Sequence, residues 1–164
     1  MKTRVTILLL AIAALTIPTT FAQTLVKDIW VGGESSAPKE FAWMDGQMYF
    51  AGDNEGMGIE LWKTDGTAMG TVLVADINPL EDSDPSWLAA GNGLLFFRAN
   101  DGTSGDEVWV TDGTAAGTLL TRDIHPGADG SHPEHIGVMD GIAYFMADDG
   151  TNGSELWRSD GTPE

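Results

Sequence analysis

The sequence predicts an all-β fold assembled from repeated four-stranded antiparallel units, and three observations lead there. The chain is self-similar at a step of 47 to 48 residues. Each copy divides into short β-branched or aromatic runs separated by Gly, Asn and Asp turn signals. Beyond the first two dozen residues, no stretch carries a sustained helical apolar period.

The N-terminus reads differently from the rest. Lys2 and Arg4 precede an uncharged, mostly apolar run from Val5 to Ile17, which Pro18 interrupts. Thr20-Phe21-Ala22 then places small residues three and one before a cleavage point at Gln23. This is the pattern of an export signal over 1–22, with a run too short to span a bilayer comfortably. The expected mature chain is residues 23–164, without a membrane span. It is secreted, to the medium, the cell surface or a periplasm. The chain has no cysteine, which excludes a lipoprotein anchor and leaves the fold without disulfides.

Composition narrows the function classes. A net charge of −17 leaves no basic patch to neutralise phosphates, which argues against nucleic acid and anionic membranes. It is compatible with divalent cations or basic partners. Gly is abundant at 21 residues, yet six tryptophans, six phenylalanines and 42% hydrophobic content give the chain material for a core rather than for disorder.

The repeat is anchored by an eight-residue motif. Glu60, Leu61, Trp62, Asp65, Gly66 and Thr67 recur as Glu107, Val108, Trp109, Asp112, Gly113 and Thr114. They return as Glu155, Leu156, Trp157, Asp160, Gly161 and Thr162. Asp28-Ile29, Asp76-Ile77 and Asp123-Ile124 keep the same step, as do Ser36-x-Pro38, Ser83-x-Pro85 and Ser131-x-Pro133. The domain at 23–164 therefore comprises units 23–71, 72–118 and 119–164. In the middle unit, strands are expected over Thr71–Ile77, Trp87–Ala90, Leu94–Ala99 and Glu107–Thr111. Turns fall at Gly91-Asn92-Gly93 and Asn100–Gly105, and a hairpin at Asp112-Gly113.

Leu61 and Trp62 are neighbours on a strand and so face opposite sides of the sheet. A sheet with large apolar groups on both faces must be covered on both. Four-stranded sheets packed face to face around an axis achieve this, and the period lies close to known propeller repeats. The expected fold is thus a β-propeller-type repeat of three blades, a partial or open propeller. A β-sandwich is the competitor, though it does not require such strict repetition. Leu25–Ile29 matches the fourth strand of a unit and is placed to complete the last blade. Three blades is below the usual number, so further repeats in a longer chain or self-association are expected.

In these residues the sequence resembles the bacterial ELWxxDGT-repeat family, also known by the name hyalin repeat. The family pattern runs from Glu60 to Trp109 with few breaks: Leu80 stands where Gly is usual, and Trp30-Val31-Gly32 replaces Asn-Pro-Gly in the first copy. The resemblance implies secreted or surface-associated propeller-like repeats and no particular chemistry.

Candidate chemical sites are few, and no catalytic residue is singled out. The Asp of each Asp-Gly-Thr repeats three times, which suits a turn cap better than a single active site. The acidic turns holding Asp53, Asp101, Asp148 and Asp149 are the candidates for Ca²⁺, against an ordinary hairpin role. His125, His132 and His135 share one loop, but their spacing fits no established zinc pattern, and they are expected to be solvated loop histidines. Trp30, Trp43 and Trp87 offer a sugar-stacking face, with packing between blades the preferred alternative. The expected function is a non-enzymatic extracellular scaffold or binding module for a protein or glycan. The rival is a secreted polysaccharide hydrolase or lyase with acidic residues near the propeller axis.

Overall fold

The computed structural model describes residues 23–164; the export signal read at 1–22 lies outside them. The described residues form three antiparallel sheets and no helix. The first sheet comprises β1 (Lys39–Met44), β2 (Gln47–Asn54), β3 (Gly58–Thr64) and β4 (Val72–Ala75) in sequential order. The second repeats this with β5 (Ser86–Gly91), β6 (Leu94–Asn100), β7 (Asp106–Thr111) and β8 (Leu119–Leu120). The third has only β9 (Glu134–Met139), β10 (Ile142–Asp148) and β11 (Ser154–Ser159).

Local chemistry explains the first hairpin of each sheet. Asp45-Gly46, Asn92-Gly93 and Asp140-Gly141 all have positive φ at both residues. That is the two-residue turn whose twist matches the flanking strands, and Asn, Asp and Gly tolerate it best. The expected hairpin at Asp112-Gly113 is instead a wider loop, since β7 ends at Thr111 and β8 begins at Leu119. The predicted strand at Leu25–Ile29 does not form. Its ladder partner would be the third strand of a preceding sheet, and its backbone groups find no such edge among the described residues. It does not complete the third sheet either, which stays three-stranded.

The sheets stack face to face in chain order. Between the first and second lie Tyr49, Leu61, Val74, Leu95, Phe97 and Ala99. Between the second and third lie Phe96, Val108, Val110, Ala143, Phe145 and Ala147. Adjacent residues Phe96 and Phe97 therefore serve opposite interfaces, as strand alternation requires. The first strands β1, β5 and β9 are neighbours of one another, β5 touching both.

Candidate functional site

The repeated motif sits at the joints between sheets. Glu60 on β3 is fully buried and accepts hydrogen bonds from Ile77 N (3.0 Å), Ser83 N (3.2 Å) and Ser83 Oγ (2.6 Å). Glu107 on β7 does the same with His125 N (3.1 Å), Ser131 N (3.0 Å) and Ser131 Oγ. Each Ser also donates its backbone N–H to the strand that bears the Glu, at Ile59 O (3.1 Å) or Asp106 O (3.0 Å). Its own carbonyl accepts from the next sheet: Asn100 N for Ser83 (2.9 Å), Asp148 N for Ser131 (3.0 Å). One serine thus pins two consecutive sheets. Glu155, the third copy, is exposed and makes no such bond among the described residues.

The Asp-Gly-Thr segments are local caps, and the second also accepts at Gly113 O a hydrogen bond from Lys63 Nζ of the first sheet (2.9 Å). Asp65 Oδ1 accepts from Thr67 N (2.9 Å) and Thr67 Oγ1 (2.7 Å), and Thr67 Oγ1 in turn accepts from Gly70 N (2.9 Å). Asp112 and Thr114 reproduce all three bonds, with Gly117 N donating to Thr114 Oγ1, and Asp160 with Thr162 repeats the two bonds to the carboxylate. A Cβ at position 70 or 117 would overlap the Asp65 or Asp112 carboxylate, so the second glycine of each loop is a steric requirement. The Thr hydroxyl and amide hold these three Asp carboxyls below the usual 3.8. Burial pushes Glu60 and Glu107 above the usual 4.5, against the opposing effect of the serine hydroxyls.

Three of the four candidate calcium ligands, Asp101, Asp148 and Asp149, accept hydrogen bonds within their own turns. Asp101 accepts from Thr103 N and Ser104 N (2.8 and 2.7 Å). Asp149 accepts from Thr151 N and from the amide and side chain of Asn152, bonds that lower its pKa. Asp148 accepts from Gly150 N (2.7 Å). Asp53 is raised by burial and by repulsion from Asp82. Among the described residues, no three His, Asp or Glu side chains converge at metal-ligand spacing. The three histidines have separate neighbours: His132 lies 3.5 Å from Asp106, His135 lies 3.8 Å from Glu134, and His125 packs by Gly150.

A second constellation escaped the sequence reading. Glu40, Trp87 and His135 occupy equivalent positions, the second residue of β1, β5 and β9, and all have left-handed φ of 57°, 55° and 56°. Each marks a bulge where the first strand slips against the second. A bulky L-residue in this region costs about 1–2 kcal/mol, so the bulge is held by its surroundings. The Trp87 backbone N–H donates to Glu40 Oε2 (3.1 Å), and its indole lies against the His135 imidazole with ring centroids 4.7 Å apart. Lys39 and Asp84 close the same end with an ion pair of 2.7 Å. Trp43 and Trp87 are outside both core clusters and partly exposed, which corrects the expectation that they pack between blades. The 47-residue register does carry a signal for this group: it aligns three chemically different side chains at one position.

Comparison with known proteins adds little. No family model and no curated protein matches the chain. Among solved structures, it is similar to the computationally designed Ika8 protein at 20% identity, with a TM-score of 0.45. That alignment covers 85% of this chain, which spans 37% of the Ika8 chain. A second similarity is to the designed Ika4 protein at 16% identity and a TM-score of 0.34, covering 83% of this chain and 98% of that one.

Three outcomes are expected from this geometry. Gln in place of Glu60 or Glu107 would turn an amide NH₂ toward N–H donors. Each should lower unfolding free energy by about 3 kcal/mol in denaturant titration, whereas E155Q should change it by less than about 0.5 kcal/mol. Equal effects at all three positions would refute the pin. In pH dependence, the raised Glu groups contribute most below 4.5 and lose that contribution as pH rises through their folded values. The lowered Asp groups contribute above 3.8 and lose it as pH falls through theirs. These opposing slopes should give the melting temperature a maximum in weakly acidic solution, and a steady rise through neutrality would contradict this. Addition of EDTA should leave the melting temperature within about 1 °C, because Asp101, Asp148 and Asp149 already have donors; a larger drop would restore calcium.

Proposed function

We propose that this chain is a secreted, non-enzymatic repeat module of propeller type that binds a protein or glycan ligand outside the cell. The observation that carries the reading is a division of labour between positions. Recurring residues of the repeat, Glu60 and Glu107 with their serines and the Asp-Gly-Thr caps, are committed to hydrogen bonds within and between the sheets, with Glu155 alone of the three glutamates exposed. Residues that differ between copies, Glu40, Trp87 and His135, meet at the exposed start of the first strands. An aromatic face beside carboxylates suits the C–H-rich face and hydroxyls of a sugar, or an aromatic anchor of a protein partner. The propeller reading is supported by the face-to-face stacking of the sheets with their first strands adjoining.

The test is a screen of the purified protein against soluble polysaccharides, following tryptophan fluorescence for binding and reducing ends for product release. Binding without product is expected, with Trp87→Ala weakening it at least about tenfold at unchanged melting temperature. Turnover that a single carboxylate substitution abolishes would replace the binding module with a hydrolase or lyase.

A further inference from the structure

A closed circuit of polar and aromatic contacts spans the joint between the second and third sheets, and the chain supplies both sides of it. Ser86 opens β5, and its Oγ accepts from Arg98 Nε on β6 (3.1 Å). The same nitrogen lies 3.8 Å from Asp106 Oδ2 on β7, and that oxygen is 3.5 Å from His132 Nδ1. Three residues further on, His135 lies against the Trp87 indole, and Trp87 directly follows Ser86 in the chain. The circuit does not recur. Arg98 has Ala51 and Met146 as its equivalents, and Asp106 has Ile59 and Ser154.

Hydrogen-bonding capacity decides what this surface can take. The acids around it are already answered: Asp84 by Lys39 Nζ (2.7 Å), Glu40 by Trp87 N (3.1 Å), and Asp106 by Asn100 Nδ2 (3.5 Å) as well as by Arg98. Glu134 has His135 Nδ1 at 3.8 Å. Arg98 is different. Ser86 holds its Nε, while neither terminal nitrogen has a partner among the described residues. Those nitrogens are not among the buried unpaired atoms either, so they face solvent. A guanidinium braced at Nε with its outer fork free is the geometry that takes a carboxylate through two parallel hydrogen bonds. An ammonium ligand would instead have to displace a donor that an acid already has.

Trp87 supplies the neighbouring surface. It is 38% exposed, and its left-handed backbone and the His135 ring fix its orientation. An indole beside a braced guanidinium matches a sugar that bears a carboxylate: the C–H groups of the ring stack on the aromatic face while the acid meets the arginine. The net charge of −17 repels a continuous polyanion at long range, which selects an isolated acidic sugar over a run of them.

We propose that the Trp87 end recognises a uronic-acid residue of a glycan, with Arg98 binding the carboxylate and Trp87 stacking on the sugar ring. This rests on the reading of that end as a ligand site and adds the chemical class it selects. Arg98 is the specificity-determining residue. Ser86 and Asp106 are positioning residues, which aim the guanidinium without touching the sugar.

Titration calorimetry of the purified protein with glucuronate, its neutral methyl ester and glucosamine tests it. Glucuronate is expected to bind at least about tenfold more tightly than the ester. Arg98→Met, which places the third copy's residue here, should abolish that preference and leave both sugars at the ester's affinity. Arg98→Lys should restore part of it, since an ammonium keeps the charge but not the fork. Trp87→Ala should weaken acid and ester alike. The acid-to-ester ratio is read within each variant, so a loss of folded protein does not imitate the effect. Equal affinity of the wild type for acid and ester, or an R98M protein that keeps the preference, would overturn the inference. If Trp87→Ala still weakened binding in that case, the ligand site at Trp87 would stand without it. Tighter binding of glucosamine than of glucuronate would likewise overturn it, and no binding of any of the three would overturn it together with the glycan reading on which it rests.

Discussion

A buried glutamate that reaches from one sheet into the approach of the next is the constraint on which the rest of this structure depends. Glu60 and Glu107 lie within the apolar stack, where an unpaired carboxylate is costly. Three donors satisfy each of them, and all come from a single loop, 77–83 or 125–131. The loop is therefore bound to the sheet behind it before it enters the sheet ahead. Its serine carbonyl then fixes the end of the following second strand, through Asn100 or Asp148. These polar bonds fix where the loop crosses between sheets, and the apolar clusters pack between the same sheets.

Such a joint makes the fold a chain of nearest-neighbour contacts. Each sheet contacts the one before and the one after, and its two faces differ accordingly, with Phe97 turned back and Phe96 turned forward. Stability in an arrangement of this kind grows by adding intrinsic sheet terms and interface terms. The caps at Asp65, Asp112 and Asp160 serve the opposite purpose. Their carboxylate bonds close within a few residues, while the second cap also meets the first sheet, where Lys63 Nζ donates to Gly113 O.

Strand positions were legible because they rest on local alternation and on turn residues with a defined φ. The second, third and fourth runs of the middle unit appear within a residue or two as β5, β6 and β7, and Asn92-Gly93 forms the tight turn expected of it. Elements that failed did so for want of a partner or because side chains intervened. Leu25–Ile29 has strand composition, but a strand exists only beside another strand. Asp112-Gly113 has hairpin composition, yet Thr114 and Thr118 draw the backbone into a longer loop. Trp43 and Trp87 have core composition and are exposed, since burial depends on which sheet faces them.

The repeat itself, the all-β class, the acidic balance and the identity of the turn residues follow from the sequence alone, because they are properties of composition and of spacing along the chain. That Glu60 pairs with Ser83, 23 residues away and beyond a turn and a strand, could not be read from spacing, nor could the meeting of Glu40, Trp87 and His135 across three sheets. These depend on how the sheets stack. The same is true of the difference among three identical glutamates: two are buried and one is exposed, because a residue's environment is decided by its spatial neighbours and not by its motif.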